Sequence, residues 1–114
     1  MEISFEGIGQ VAATFMAEEG VQPGMAAAMT ADSTIGVGEA GGALCGVVLG
    51  VKNGMAAVQV GGMAQVGYSG TAPAIGMNTL AVDGAGKVKT VTTGGVSCLV
   101  VSVNTGDSTA VIKL

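Results

Sequence analysis

Residues 51–62 read VKNGMAAVQVGG, an Asn-Gly pair set between two runs of small apolar residues. Asn-Gly suits a two-residue hairpin turn with both central residues at positive φ, because Gly has no Cβ and Asn tolerates the left-handed region. A turn at Asn53-Gly54 places Lys52 opposite Met55, Val51 opposite Ala56, Leu49 opposite Val58 and Val47 opposite Val60. One face of this hairpin is wholly apolar. The other carries Lys52 with Met55, Gly50 with Ala57 and Val48 with Gln59. A slip of one residue would exchange the two faces, so the alternation itself specifies the pairing.

The same grammar recurs downstream. MAQVGYS (63–69) comes after Gly61-Gly62 as a further strand, and Pro73 in TAPAIG (71–76) bars a central strand there. NTLAV (78–82) and KVKTVT (87–92) flank Asp83-Gly84-Ala85-Gly86, a turn that sets Asp83 opposite Lys87 and Val82 opposite Val88. SCLVVSV (97–103) and STAVIKL (108–114) flank a loop at Asn104-Thr105-Gly106-Asp107, with Leu99 expected opposite Ile112 and Val101 opposite Ala110. Three hairpins in close succession predict an all-β domain, a small Gly-, Val- and Ala-rich β-barrel or sandwich.

The first forty residues are more ambiguous. QVAATFMAEEG (10–20) has the composition of a short helix ending at Gly20, yet Val11, Ala13, Phe15 and Ala17 also alternate with the residues between them. Pro23-Gly24 forms the central pair of a type II turn into MAAAMT (25–30), which favours strand, turn, strand. Asp32 and Ser33 make a turn before TIGVG (34–38), and GEAGG (38–42) reads as a flexible connection. The organisation expected is an N-terminal segment, 1–19, and then one compact β domain, 20–114. Within that segment Ile3 and Phe5 alternate with Glu2, Ser4 and Glu6, so a strand there has one apolar side. Gly7 and Gly9 set it apart from the rest of the chain, which makes Ile3 and Phe5 the candidate partner-binding residues, able to fill alternate pockets if the strand adds to a neighbouring sheet edge, the alternative being an outer strand of the same barrel.

Composition narrows the function classes. The chain has 114 residues, 49% of them hydrophobic, but Phe5, Phe15 and Tyr68 are its only aromatics, so its core must be built from Val, Ala, Ile, Leu and Met. Met25, Met29, Met55, Met63 and Met77 read as gap fillers in that core, in preference to an adhesive Met-rich surface. The net charge is −4, and the only cations are Lys52, Lys87, Lys89 and Lys113, which argues against nucleic acid and anionic membranes as partners. No apolar run is long enough to span a bilayer as a helix. MEISFEG does not read as a secretory signal, so synthesis inside the cell is expected. In that setting Cys45 and Cys98, each in an apolar run, are expected as reduced thiols.

The search for chemistry is short. The sequence has no His, hence neither the commonest general base nor the commonest metal ligand. VGYSGTA (66–72) lacks the spacing of a nucleophile elbow around Ser69. DGAGKV (83–88) resembles a phosphate loop only superficially, because that motif needs Gly at 81 and Ser or Thr at 88, where Ala81 and Val88 stand. Asp32, Asp83 and Asp107 fall in turns, and no run of carboxylates is spaced as in a calcium loop. No catalytic residue, metal ligand or cofactor site is expected, and Asn53, Gly54, Asp83, Gly84 and Gly86 are assigned to turn structure.

The order of segments VQPGMAAAM (21–29), TIGVG (34–38), ALCGVVLGVKNGMAAVQVGGMAQVGYSG (43–70), PAIGMNTLAVDGAGKVKTV (73–91) and VSCLVVSVNTGDSTAVIKL (96–114) resembles the capsid cement, or head decoration, proteins of tailed bacteriophages and prophages. The resemblance spans roughly residues 20–114 and leaves MEISFEGIGQVAATFM unmatched. It implies a β-barrel-like structural protein made in the bacterial host cytoplasm and located in the virion, on the capsid surface. Its partner would be the major capsid protein, and it would be a homo-oligomer, often a trimer, with no enzymatic activity. The competing class is a small β-type binding or adhesion module for a carbohydrate or protein ligand, against which the shortage of aromatic platforms counts.

If Asn53-Gly54 sets the central register, Gly54→Val forces a β-branched residue to positive φ. The variant should lose about 1–3 kcal/mol of stability; an unchanged thermal midpoint would mean the turn lies elsewhere.

Overall fold

The computed structural model describes residues 9–114 and contains ten strands and, among the described residues, no helix. β1 (Val11–Ala17), β2 (Ala26–Ala31), β3 (Thr34–Gly36), β4 (Gly46–Lys52) and β5 (Met55–Gly61) close into a barrel in the order β1-β3-β2-β4-β5. β6 (Met63–Gly67), β7 (Gly76–Val82), β8 (Val88–Thr90), β9 (Val96–Asn104) and β10 (Thr109–Lys113) form a second sheet in the order β6-β10-β9-β7-β8. The ends of this sheet touch. Tyr68, just past β6, makes a parallel bridge to Val88 in β8, and the Ser69 amide donates to the Val88 carbonyl at 2.9 Å.

The central hairpin is the one expected, with one correction. Asn53 and Gly54 have φ of 54° and 75°, and Lys52↔Met55, Val51↔Ala56 and Gly50↔Ala57 pair as the turn dictates. Beyond Gly50 a β-bulge intervenes, so Val48 rather than Leu49 lies opposite Val58, and Val47 lies opposite Gln59 rather than Val60. The extra residue is Leu49, which is left exposed. Such a bulge sharpens the local twist, which a five-stranded barrel needs in order to close.

Most of residues 10–19 are extended, with Val11–Ala17 in a strand and Glu19 in a turn. β1 is a barrel strand, antiparallel to β5 from Val11↔Gly61 to Met16↔Met55 and parallel to β3 through Met16↔Thr34 and Ala17↔Ile35. The boundary expected near residue 19 therefore falls after a strand that belongs to the barrel. Gly24 has φ of 87°, and the Met25 amide donates to the Gln22 carbonyl at 3.3 Å, as a Pro-Gly turn requires.

Two further expectations need correction. The final hairpin pairs Ala110 with Val103 and Ile112 with Val100, not with Val101 and Leu99. Asn104 is the last residue of β9, its Oδ1 accepting from the amides of Gly106 and Asp107, and Ser108 turns the chain back at φ 55°. A bulge at Val101 then shifts the rest of the ladder. The glycine-rich 38–42 segment is no loose connection. The Gly41 amide donates to the Val82 carbonyl at 2.9 Å, the Val82 amide donates to the Gly42 carbonyl at 3.0 Å, and Ala43 bridges Ala81, so the segment is tied to β7.

The described residues form two apolar clusters. One lies inside the barrel and contains Val21, Ala27, Ile35, Val48, Ala56 and Val58, with Phe15 packed against it. The other lies between the barrel wall and the second sheet, where Leu80, Val82, Val88, Cys98, Val100 and Ile112 meet Ala26, Ala28 and Val47. β2 and β4 are thus buried on both faces, Ala27 and Val48 looking inward and Ala26, Ala28 and Val47 looking outward. A Cβ on Gly46 would collide with the Gln59 carbonyl, so β4 can approach β5 this closely only without a side chain there.

Gln59 is the one buried polar side chain among the described residues, and its Nε2 donates to the carbonyls of Gly61 (3.1 Å) and Met63 (2.8 Å). Those carbonyls flank the crossing from β5 to β6, so this amide fixes the angle at which the second sheet leaves the barrel. Gln59→Leu removes both donors and keeps most of the volume. It should lower stability by about 1–3 kcal/mol in urea unfolding, while a substitution at the exposed neighbour Gln65 should change little.

Candidate interaction surface

The turn residues identified from the sequence sit where turns are. Gly84 and Gly86 have φ of 89° and 93°, and the Asp83 amide donates to the Lys87 carbonyl at 2.9 Å with Val82 opposite Val88. Asp83 organises the turn with its carboxylate, whose Oδ1 accepts from the amides of Ala85 (2.8 Å) and Lys87 (3.0 Å). Desolvation pushes its pKa up, but those two amides, aided by Ser69 and by the charge of Lys87, outweigh it and hold the carboxyl below its ordinary value. The five turn residues do not converge on a common site: Asn53 and Gly54 cap the barrel hairpin, while Asp83, Gly84 and Gly86 cap the hairpin of β7 and β8. Ile3 and Phe5 lie outside the described residues.

Chemically the described surface is sparse. No group of three or more Cys, Asp or Glu side chains lies close enough to hold a metal ion among the described residues. Both cysteines are free thiols, Cys98 buried and Cys45 half-buried, and burial raises the pKa of each, which disfavours the reactive thiolate.

What the surface does offer is two sheet faces of unusual composition. On the outside of the barrel, strand pairing aligns Lys52, Met55, Met16 and Thr34 in one row, flanked by Thr14, Ala57 and Gly50 in the next. On the outside of the second sheet it aligns Met63, Lys113, Leu99 and Met77. Each row holds a single lysine and two methionines, with Thr34 completing the first and Leu99 the second. Met16, Met29, Met55 and Met77 are all about half exposed or more, Met77 reaching 67% together with its neighbour Ile75. The expectation that Met29, Met55 and Met77 fill gaps in the core is therefore wrong. Alanine, glycine and valine already fill the narrow interior, and the longer unbranched side chains are displaced to the outside. The signal for this lay in the pairing: Met55 next to Lys52 across the turn belongs to the polar face of the hairpin.

A cleft of about 540 Å³ opens beside β2, lined by Met29 and Thr30 on one side and Gly38, Glu39 and Gly42 on the other, with Cys45 at its base. No motif announced it. It exists because β4 pairs with β2 only through Ala26↔Val47 and Ala27↔Gly46, after which the preceding chain swings away to β7. No protein-family model and no curated protein matches the chain.

Asp83 gives these turns a pH signature. With the folded-state value below that of the unfolded chain, about 3.9, its contribution is complete above that pH and is lost as the pH falls through the folded-state value. The stability advantage of the native protein over Asp83→Asn should hold at pH 6 and shrink steadily below pH ~4, as measured by thermal melts across pH; a constant difference would show that the carboxylate charge plays no part.

Proposed function

We propose that this chain is a structural virion protein that binds the outer surface of a phage capsid shell and stabilises it, with the major capsid protein as partner and a homo-oligomer, most simply a trimer, as the binding unit. The observation that carries the reading is the pair of outer rows, Lys52, Met55, Met16 and Thr34 on the barrel and Met63, Lys113, Leu99 and Met77 on the second sheet, each with two methionines and one lysine. Flexible thioether side chains adapt to an uneven partner, and small neighbours let two backbones approach. A contact of this kind is weak singly and becomes strong when an oligomer engages several shell sites at once. The resemblance of its order of segments to head decoration proteins supports the same reading. Ile3 and Phe5 would add a strand-like anchor to a sheet edge of the shell or of a neighbouring subunit. The protein would be made in the bacterial cytoplasm and end in the virion. A small binding or adhesion module is the second reading, and the cleft beside β2 is the observation that favours it.

The test is sedimentation with undecorated heads. The purified protein should pellet with them at micromolar concentration, and a variant lacking residues 1–7 should keep its thermal midpoint while losing shell binding or oligomerisation. Absence of the full chain from the pellet would remove the proposal. Unfolding of the truncated chain would instead assign residues 1–7 to the core.

A further inference from the structure

The barrel has a seam. β2 continues to Ala31, but its ladder with β4 ends at Ala27↔Gly46, and from Ala28 onward β3 is its only strand neighbour among the described residues. Strands in a sheet lie about 4.8 Å apart. The place where the next strand would run is the cleft beside β2. The Cys45 amide, donating to the Ala27 carbonyl at 2.8 Å, closes its lower end. Its far wall, residues 38–43, is held in place by the backbone bonds to Val82 and the bridge to Ala81. Gly38 lies against β2 itself, since a Cβ there would come within 2.9 Å of the Ala28 side chain, and beyond that contact Met29 and Thr30 on the β2 side are exposed. Glu39 is the only charged side chain lining the cleft among the described residues.

We propose that this seam is a binding groove for an extended peptide that adds a strand to the free edge of β2 and places a basic side chain against Glu39. Main-chain hydrogen bonds to the β2 edge supply affinity that depends little on sequence, and the carboxylate supplies the selection. Alternate side chains of the added strand fall on the Met29 side and on the Glu39 side, so one lysine or arginine flanked two residues away by small apolar groups suits the groove. An acidic strand is disfavoured by the same carboxylate. The N-terminal segment of a second copy, which carries Glu2 and Glu6, is therefore a poor occupant. Such a groove would bind its peptide whether or not the chain attaches to a shell.

The experiment uses the full chain, isotope-labelled, titrated at low salt with the blocked pentapeptide VTKTV and with its counterpart VTETV. Amide shifts should localise to residues 28–31 and 38–45, and the lysine peptide should bind about fivefold more tightly. Glu39 is exposed, so Glu39→Lys leaves the fold intact and should reverse the order of the two peptides. Equal binding of the two peptides, no binding, or shifts confined to other strands would overturn the proposal. So would a concentration-dependent shift of the same amides without peptide, which would make a second copy the occupant.

Discussion

The structure depends on two strands that have no solvent side where they cross. Ala26, Ala27 and Ala28 are successive residues with at most 5% of their surface exposed, and Val47 and Val48 in the neighbouring strand are equally enclosed. Side chains alternate across a strand, so successive buried residues mean that apolar material lies on both sides. Here the barrel interior lies on one side and the core shared with the second sheet on the other. The wall between them must be thin. Alanine meets that requirement in β2, and in β4 the absence of any side chain at Gly46 allows the contact with Gln59. Larger residues at these positions would push the two cores apart, since close-packed interiors do not absorb added volume cheaply.

The remaining architecture derives from that shared wall. Because interior positions on both sides admit mainly small and β-branched residues, the unbranched methionines occupy outer faces and sheet ends, and the molecule presents apolar surface with few charges. Because β2 serves both cores over only its first half, its second half loses β4 as neighbour once the chain preceding β4 turns toward β7. The exposed sheet faces and the seam therefore arise from the same economy of residue size. Gln59 is the exception in polarity: it lies at the edge of the shared wall, where the backbone leaves one unit for the other and two carbonyls need a donor.

The local chemistry of the sequence disclosed the turns and little of what lies between distant segments. Asn53-Gly54, Asp83-Gly84 and Pro23-Gly24 each impose backbone angles through residues adjacent in the chain, and all three turns stand where the sequence puts them. The bulges at Leu49 and Val101 were not legible, because a bulge answers the twist needed for sheets to curve and close, and nothing in VVLGV or LVVSV differs from a regular strand. The partners of β1 were equally hidden: alternation in VAATFMA fixes which residues face inward but not that they pair with β5. GEAGG has the composition of a flexible link, and only its position beside β7 supplies the hydrogen bonds that hold it. The candidate surfaces belong to this second class. They are made by register across several strands, so no contiguous motif could have named them, and Ile3 and Phe5 remain a reading of alternation alone.

Closure also orders events in time. In each five-stranded unit the first strand pairs with the last: β1 meets β5 with Val11 beside Gly61, and β6 meets β10 with Met63 beside Lys113. The barrel cannot close, nor the second sheet dock its β6 edge, until the final residues of each unit are present, and the loop closed is the longest that the unit allows. Contacts so distant along the chain carry their entropic cost before they return any stabilisation, the condition associated with slow folding among β proteins. Until then the valine-rich strands of each half keep open edges. The interval between synthesis and closure is thus the period in which this chain is most exposed to pairing with the wrong partner, its own copies included.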